Sequence, residues 1–242
     1  MSSPMKKTGF RQGIHVISAT QKEAIGTLRI LRDGRMFRYS KNGAVALAAG
    51  QCLMPAANDT NIQNEAAAAA GAASVGDTQV TFTAAGAVTA ADGHFKGGTL
   101  SIIDGAGQGY TYEIDGNPAV AASTTIYLTL SEPLRFAIVA ADEWDLHPHS
   151  NMGVLETTGV TVPCVGVSTG VVTAAYYFWA QTRGTVSVLS TGGGAIYVNQ
   201  GVTAAGSVVD ISTALDIDQT VIGELMAAAA AGDYGTVNLN ID

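Results

Sequence analysis

Between Thr78 and Leu130 the chain repeats one pattern four times: a run of five or six mainly β-branched, aromatic or aliphatic residues, bounded by Gly, Asp, Asn or Pro. The runs are Gln79–Thr83, Thr99–Ile103, Tyr110–Ile114 and Thr125–Leu130. Such residues favour a pleated, half-buried surface, and the residues between them favour tight turns. The spacing predicts a small antiparallel barrel or sandwich. A second set of strands is expected over 160–167, 171–181, 185–189, 195–198, 207–211 and 236–241. In the last of these, Val237, Leu239 and Ile241 point one way and Asn238 and Asn240 the other, giving one buried face and one wet or partner-facing face. Only Gly223–Ala231 could be helical there. The expected fold class is all-β, with two small antiparallel β-barrel or sandwich units plus an extended N-terminal arm and hairpin. The expected boundaries are an arm over 1–24, a basic hairpin and connection over 25–64, a central β domain over 65–150 and a barrel-like domain over 151–242.

The clearest hairpin lies within residues 27–41. Thr27–Arg32 and Arg35–Tyr39 flank Asp33-Gly34, a dipeptide that tolerates the positive φ angles of a type I′ turn. Asn42-Gly43 offers a second turn into Ala44–Ala48. Residues 1–24 have no sustained periodicity and read as extended. The Ala-rich run over 65–73 has high helix propensity, but Gly71 and its short length argue against a stable helix. It reads as a low-complexity linker or a brief helix.

With 47% hydrophobic and 13% charged residues the chain can build a core, yet its surface must be largely Thr, Ser, Ala and Gly. A surface so poor in charge sits better against a neighbour than alone in solvent. The net charge of −8 conceals an asymmetry. Residues 1–41 hold nine cations against two carboxylates, a balance of +7, and the remainder holds three against eighteen, a balance of −15. A basic segment of this kind seeks an acidic surface. A nucleic-acid partner is not expected, because the acidic remainder repels phosphate and no aromatic-interleaved basic groove follows. The candidate docking residues are Arg29, Arg32, Arg35 and Arg38 as contacts, with Lys6, Lys7 and Arg11 steering. Because the arginines alternate along two strands, some could instead bridge carboxylates of the protein's own body.

Cys52 and Cys164 lie far apart without C-x-x-C spacing and read as small buried hydrophobes. The N-terminus lacks the apolar run of a signal peptide. The uncharged stretch Thr157–Gln181 contains Pro163 and near-alternating Val, so it reads as strands, and no membrane partner is expected.

No catalytic constellation emerges, and the chain is not expected to be an enzyme. Asp104–Gly109 carries G-x-G-x-G, but a dinucleotide fingerprint needs G-x-G-x-x-G feeding a helix, and here a strand follows; it reads as a hairpin loop. Asp142–His149 brings together two His and three carboxylates, with a His-x-His pair that could ligate a metal. Pro148 interrupts it and no third ligand is fixed by spacing, so it reads as a solvent-facing acidic corner between domains. Asp216 and Asp218 form a carboxylate pair with nothing to set them across a cleft. Only four His are available as bases for a Ser/His/Asp triad, and neither Cys has a basic neighbour. No cofactor and no metal are expected. In Tyr176–Trp179 a strand would put Tyr177 and Trp179 on one face. They serve either as core and sheet-spanning anchor or as interface aromatics.

Three of these segments carry a resemblance: Asp33–Tyr39 running into Asn42–Gly50, the central Gly97–Tyr112, and Tyr177–Thr182. They resemble structural virion proteins of tailed bacteriophages, of the capsid-decoration or cement type. The resemblance implies a protein that binds the outside of an assembled head, as a homotrimer, and stabilises the shell by bridging neighbouring major capsid proteins. Its partners would be the major capsid protein and itself. It would be made in the host cytoplasm and reside on the outer capsid surface of the virion. The alternative is a phage fibre or tail module that binds host-surface glycan through Tyr177 or Trp179.

Overall fold

The period-two runs form strands, and the computed structural model describes residues 9–63, 72–192, 199–211 and 219–242, with 65–66 by backbone alone. Lys6, Lys7, most of the Ala-rich run, the strand expected over 195–198, Asp216 and Asp218 lie outside the described residues. In chain order the strands are β1 (Leu28–Ile30), β2 (Met36–Asn42), β3 (Cys52–Met54), β4 (Glu65–Ala66), β5 (Gln79–Ala90), β6 (Thr99–Ile102), β7 (Thr111–Gly116) and β8 (Val120–Leu130). They continue as β9 (Glu143–His147), β10 (Met152–Glu156), β11 (Gly166–Ser168), β12 (Tyr177–Leu189), β13 (Asn199–Val202), β14 (Val208–Asp210), β15 (Val221–Ala227) and β16 (Tyr234–Asn240). The fold class is all-β. Among the described residues no helix is long and apolar enough to cross a membrane.

The chain divides into two units, one from Met1–Ala56 with Ser150–Asp242 and one from Ala57–His149. The hairpin is therefore not a region apart from the C-terminal strands, as the sequence boundaries had it. β2 pairs antiparallel with β12 and parallel with β10, so burial across distant segments unites them.

In the second unit six strands run in the order β4-β9-β6-β7-β8-β5, each antiparallel to its neighbours. Phe82 and Trp144 meet in its core with ring centroids 4.7 Å apart. The Asp104–Gly109 segment joins β6 to β7 as a hairpin loop. Residues 142–149 are not a solvent-facing corner: β9 lies between β4 and β6 and buries Trp144 and Leu146. Of the residues that suggested a corner, Glu143, Asp145 and His147 take the alternate, outward positions of that strand, whereas Asp142 is buried ahead of it and accepts the Val139 amide at 2.9 Å.

The first unit holds a ten-stranded sheet in which β2, β10, β3, β11 and β12 are successive neighbours and β12 pairs back to β2. Leu53, Val154, Phe178 and Ala180 from these strands pack with Leu47 and Val172. A second cluster joins Val186 and Val188 of β12 to Ile222, Leu225, Val237 and Leu239. Each fully buried aliphatic or aromatic side chain contributes roughly 1.5–3 kcal/mol. The alternation read in the last strand holds, with Val237 and Leu239 buried and Asn238 and Asn240 exposed.

Several local expectations change. Gly223–Ala231 is not helical. β15 runs through it to Ala227, because pairing with β13 and β16 outweighs the helix propensity of Ala. Residues 160–165 stay irregular, and only Gly166–Ser168 pair as a strand. The segments 171–181 and 185–189 are largely one strand, β12, which begins at Tyr177. Glu65–Ala66 pair with β9 instead of starting a helix or linker. The turn at Asp33-Gly34 is not type I′, since Gly34 has φ +85° while Asp33 has no positive φ. The Gly34 amide donates to the Leu31 carbonyl at 3.1 Å, and the Leu31 amide to the Arg35 carbonyl at 2.9 Å. This is a four-residue turn with glycine in the left-handed position, which Asp33 need not share. Asn42-Gly43 does not lead into a strand, although Leu47 makes one bridge to Val172.

Candidate docking surface

Residues 9–24 are not a free arm. Ser18 bridges Tyr177 through two backbone hydrogen bonds of 2.9 and 2.8 Å, and Phe10 and Ile14 pack on Phe37, Tyr39 and Trp179. Gln12 is buried at the centre of this contact. Its Oε1 accepts the Tyr39 hydroxyl at 2.7 Å, and its Nε2 donates to the Tyr177 carbonyl at 3.0 Å and to the Val16 carbonyl. Its own carbonyl accepts from Trp179 Nε1 at 3.1 Å and from Arg29 Nη1 at 2.9 Å. Sequence reasoning missed Gln12, because one polar residue in an aperiodic segment carries no pattern.

The cations proposed from sequence separate into two groups. Arg29 belongs to the fold: besides Gln12 it holds the Phe10 ring, whose centroid is 4.6 Å from the guanidinium carbon, with Trp179 at 5.6 Å. Arg38 makes a bidentate pair with Asp242 at 2.8 and 3.0 Å and donates to the Gly26 carbonyl at 3.1 Å. Burial pushes the Asp242 carboxyl up, but hydrogen bonds from Arg38 and Thr182 outweigh it and hold the group below its ordinary range. Arg35 pairs with Asp33 at 2.8 Å, and this bond lowers the Asp33 carboxyl. The stem of Arg35 lies on Gly184, where an added Cβ would stand 2.9 Å from Arg35 Cγ. By contrast Arg11 and Arg32 are exposed, as is Lys22, whose amide donates to the Tyr39 hydroxyl at 3.0 Å. No side-chain ion pair or hydrogen bond holds these three among the described residues.

The aromatic candidates also separate. Trp179 is fully buried, with Phe10 edge-on at 5.3 Å and Tyr39 at 5.0 Å. It is core and cannot meet a partner. Tyr177 is half-buried, stacked on Tyr39 at 6.1 Å with Lys41 Nζ 5.5 Å from its ring centroid.

Beside the hairpin, the outer face of the sheet presents a row of polar side chains in register. Thr185 pairs with Asn238, Asn238 with Glu224, and Glu224 with Asn199. Together with Arg35, Arg183 and Asn240 they line an open groove of about 640 Å³. Its two carboxylates are Asp33, which pairs with Arg35, and Glu224, and no His or Cys stands beside them in that lining. The groove offers hydrogen bonds and charge, which suits binding better than bond-breaking. Among the described residues no group of three or more His, Cys, Asp or Glu could hold a metal. His147 Nδ1 instead lies 3.2 Å from Asn58 Nδ2.

Charge follows the division into units. The second unit holds eleven carboxylates against two cations, a balance of −9, and the first holds ten cations against nine carboxylates, a balance of +1. The comparisons add no relative: no family model, no curated protein and no solved structure matches this chain.

Proposed function

We propose that this chain is a non-catalytic head decoration protein of a tailed bacteriophage, which docks on the outer capsid surface and bridges major capsid proteins as a homotrimer. One observation carries the docking part: Arg11, Lys22 and Arg32 stand exposed on a substructure held rigid from within by Gln12, Arg29 and Arg38. Cations on a fixed support lose little conformational entropy on meeting an acidic surface, and several weak contacts per trimer add by multivalency. Of the docking residues read from sequence, Arg11 and Arg32 keep that role. Arg29 and Arg38 act as supports, and Arg35 stands between, lining the polar groove while paired to Asp33.

The test is occupancy of purified empty heads over a salt titration. Arg11→Gln, Lys22→Gln and Arg32→Gln together should lower occupancy about tenfold at 0.1 M salt while leaving the melting temperature unchanged, with the gap narrowing as salt screens the contacts. Unchanged occupancy across the titration would refute electrostatic docking.

A fibre or tail module that binds host glycan has one observation in its favour, in the second unit. Tyr110 and Phe136 are both exposed, with ring centroids 4.8 Å apart. Retention of the protein on host envelope polysaccharide, lost in Tyr110→Ala and absent on heads, would favour that reading over decoration.

A further inference from the structure

Cys52 and Cys164, roughly 110 residues apart in sequence, are neighbours in the fold. β3 and β11 pair antiparallel with Cys52 opposite Val167 and Leu53 opposite Gly166, and the Val165 amide donates to the Leu53 carbonyl at 2.8 Å. That pairing draws the segment entering β11 along β3. Both cysteines pack in one cluster with Val188, Val202 and Val208, close enough that each thiol shifts the titration of the other. Cys52 is fully buried and Cys164 only partly, which leaves Cys164 the more accessible of the two.

We propose that Cys52 and Cys164 are a latent disulfide, which closes by exchange with a small-molecule disulfide such as oxidised glutathione and staples β3 to the segment before β11. The Cys164 thiolate attacks one sulfur of the reagent, whose S–S bond breaks, and the departing thiolate takes a proton. Cys52 then loses its proton and attacks the Cys164 sulfur of the mixed disulfide, expelling the second thiolate, which is protonated in turn. The two cysteines are oxidised by two electrons and one reagent disulfide is reduced to two thiols. The order of attack follows from the environment. The neighbouring Cys52 lowers the Cys164 thiol and outweighs its burial, whereas the nearness of Cys164 and full burial push Cys52 well up. The inference does not rest on the decoration reading, and its test uses no capsid.

The closed loop would contain the whole second unit, Ala57–His149. A chain cut once inside that unit would then remain one covalent piece until reduced. The full-length protein is incubated in a glutathione redox series, quenched with N-ethylmaleimide, digested and mapped without reduction. The expected result is a Cys52–Cys164 cross-linked peptide, loss of both alkylable thiols, and a monomer whose nicked second unit separates only on reduction. Cys52→Ala should stop at a mixed disulfide on Cys164, while Cys164→Ala should resist the reagent. The oxidised form should need a higher urea concentration to unfold than the reduced form, a comparison within wild-type protein that needs no variant to fold. The proposal is overturned if both thiols remain alkylable, if wild-type protein stops at a glutathione adduct, or if Cys164 links two chains.

Discussion

Replacing Gln12 by Ala tests whether residues 9–24 belong to the fold of the first unit. The substitution removes three side-chain hydrogen bonds, but their losses are unequal. The Tyr177 carbonyl keeps the Ser18 amide at 2.9 Å, and Val16 is exposed, so water can reach its carbonyl. The Tyr39 hydroxyl is different: Tyr39 is fully buried, and Gln12 Oε1 is the acceptor for its proton. A buried donor left without a partner costs about 1–3 kcal/mol, and truncating a buried side chain adds roughly 1 kcal/mol of lost contact. The expected loss is about 2–4 kcal/mol, which lowers the melting temperature of a unit this size by roughly 5–15 °C. A double-mutant cycle with Tyr39→Phe isolates the cause, since removing the hydroxyl first leaves nothing to orphan. In that background Gln12→Ala should cost about 1–3 kcal/mol less than in wild type. Hydrogen exchange should also speed up at Ser18 and Tyr177, the backbone bridge that Gln12 supports. A melting temperature within about 1 °C of wild type, with unchanged exchange, would refute the reasoning that this segment is locked by one buried amide.

Three further outcomes follow from the geometry. Asp242→Asn should cost about 1 kcal/mol or less at neutral pH, because the pair with Arg38 is partly exposed. The Asp242 carboxyl is depressed in the folded state, so its contribution is complete above the ordinary aspartate value of 3.8 and disappears as pH falls through the lower folded value; thermal melts of the two proteins should converge in acid. Gly223→Ala should destabilise by about 3 kcal/mol or more in urea titrations, since a Cβ there would stand 2.1 Å from the Asn238 carbonyl oxygen on β16. Arg29→Gln should lower stability by about 1–3 kcal/mol through the lost bond to Gln12 and the lost ring contacts, whereas Arg32→Gln should leave the melting curve in place; equal effects would contradict the division into supporting and exposed cations.

The strands were legible where one face is buried and the other wet. β6, β7 and β16 alternate in burial, and a period of two is written in adjacent residues. Gly34 was legible as a turn for a related reason, since a left-handed position selects its residue locally. Trp179 was visible as an important aromatic, but its role was not. Whether a strand face meets a partner or the protein's own residues depends on what packs there, and the answer lies in Phe10 and Gln12, far away in sequence.

By itself, then, the sequence determined the all-β class, the hairpin near Asp33, and the charge split between residues 1–41 and the acidic remainder. Only the tertiary structure decided that β2 joins β12 and β10, that Gln12 is a keystone, that Arg38 is spent on Asp242, and that Cys52 and Cys164 share one cluster. Local patterns reflect interactions within a few residues. Contacts between distant segments follow from which buried faces fit together once the chain has closed its long loops, and the residues on either side carry no mark of that choice beforehand.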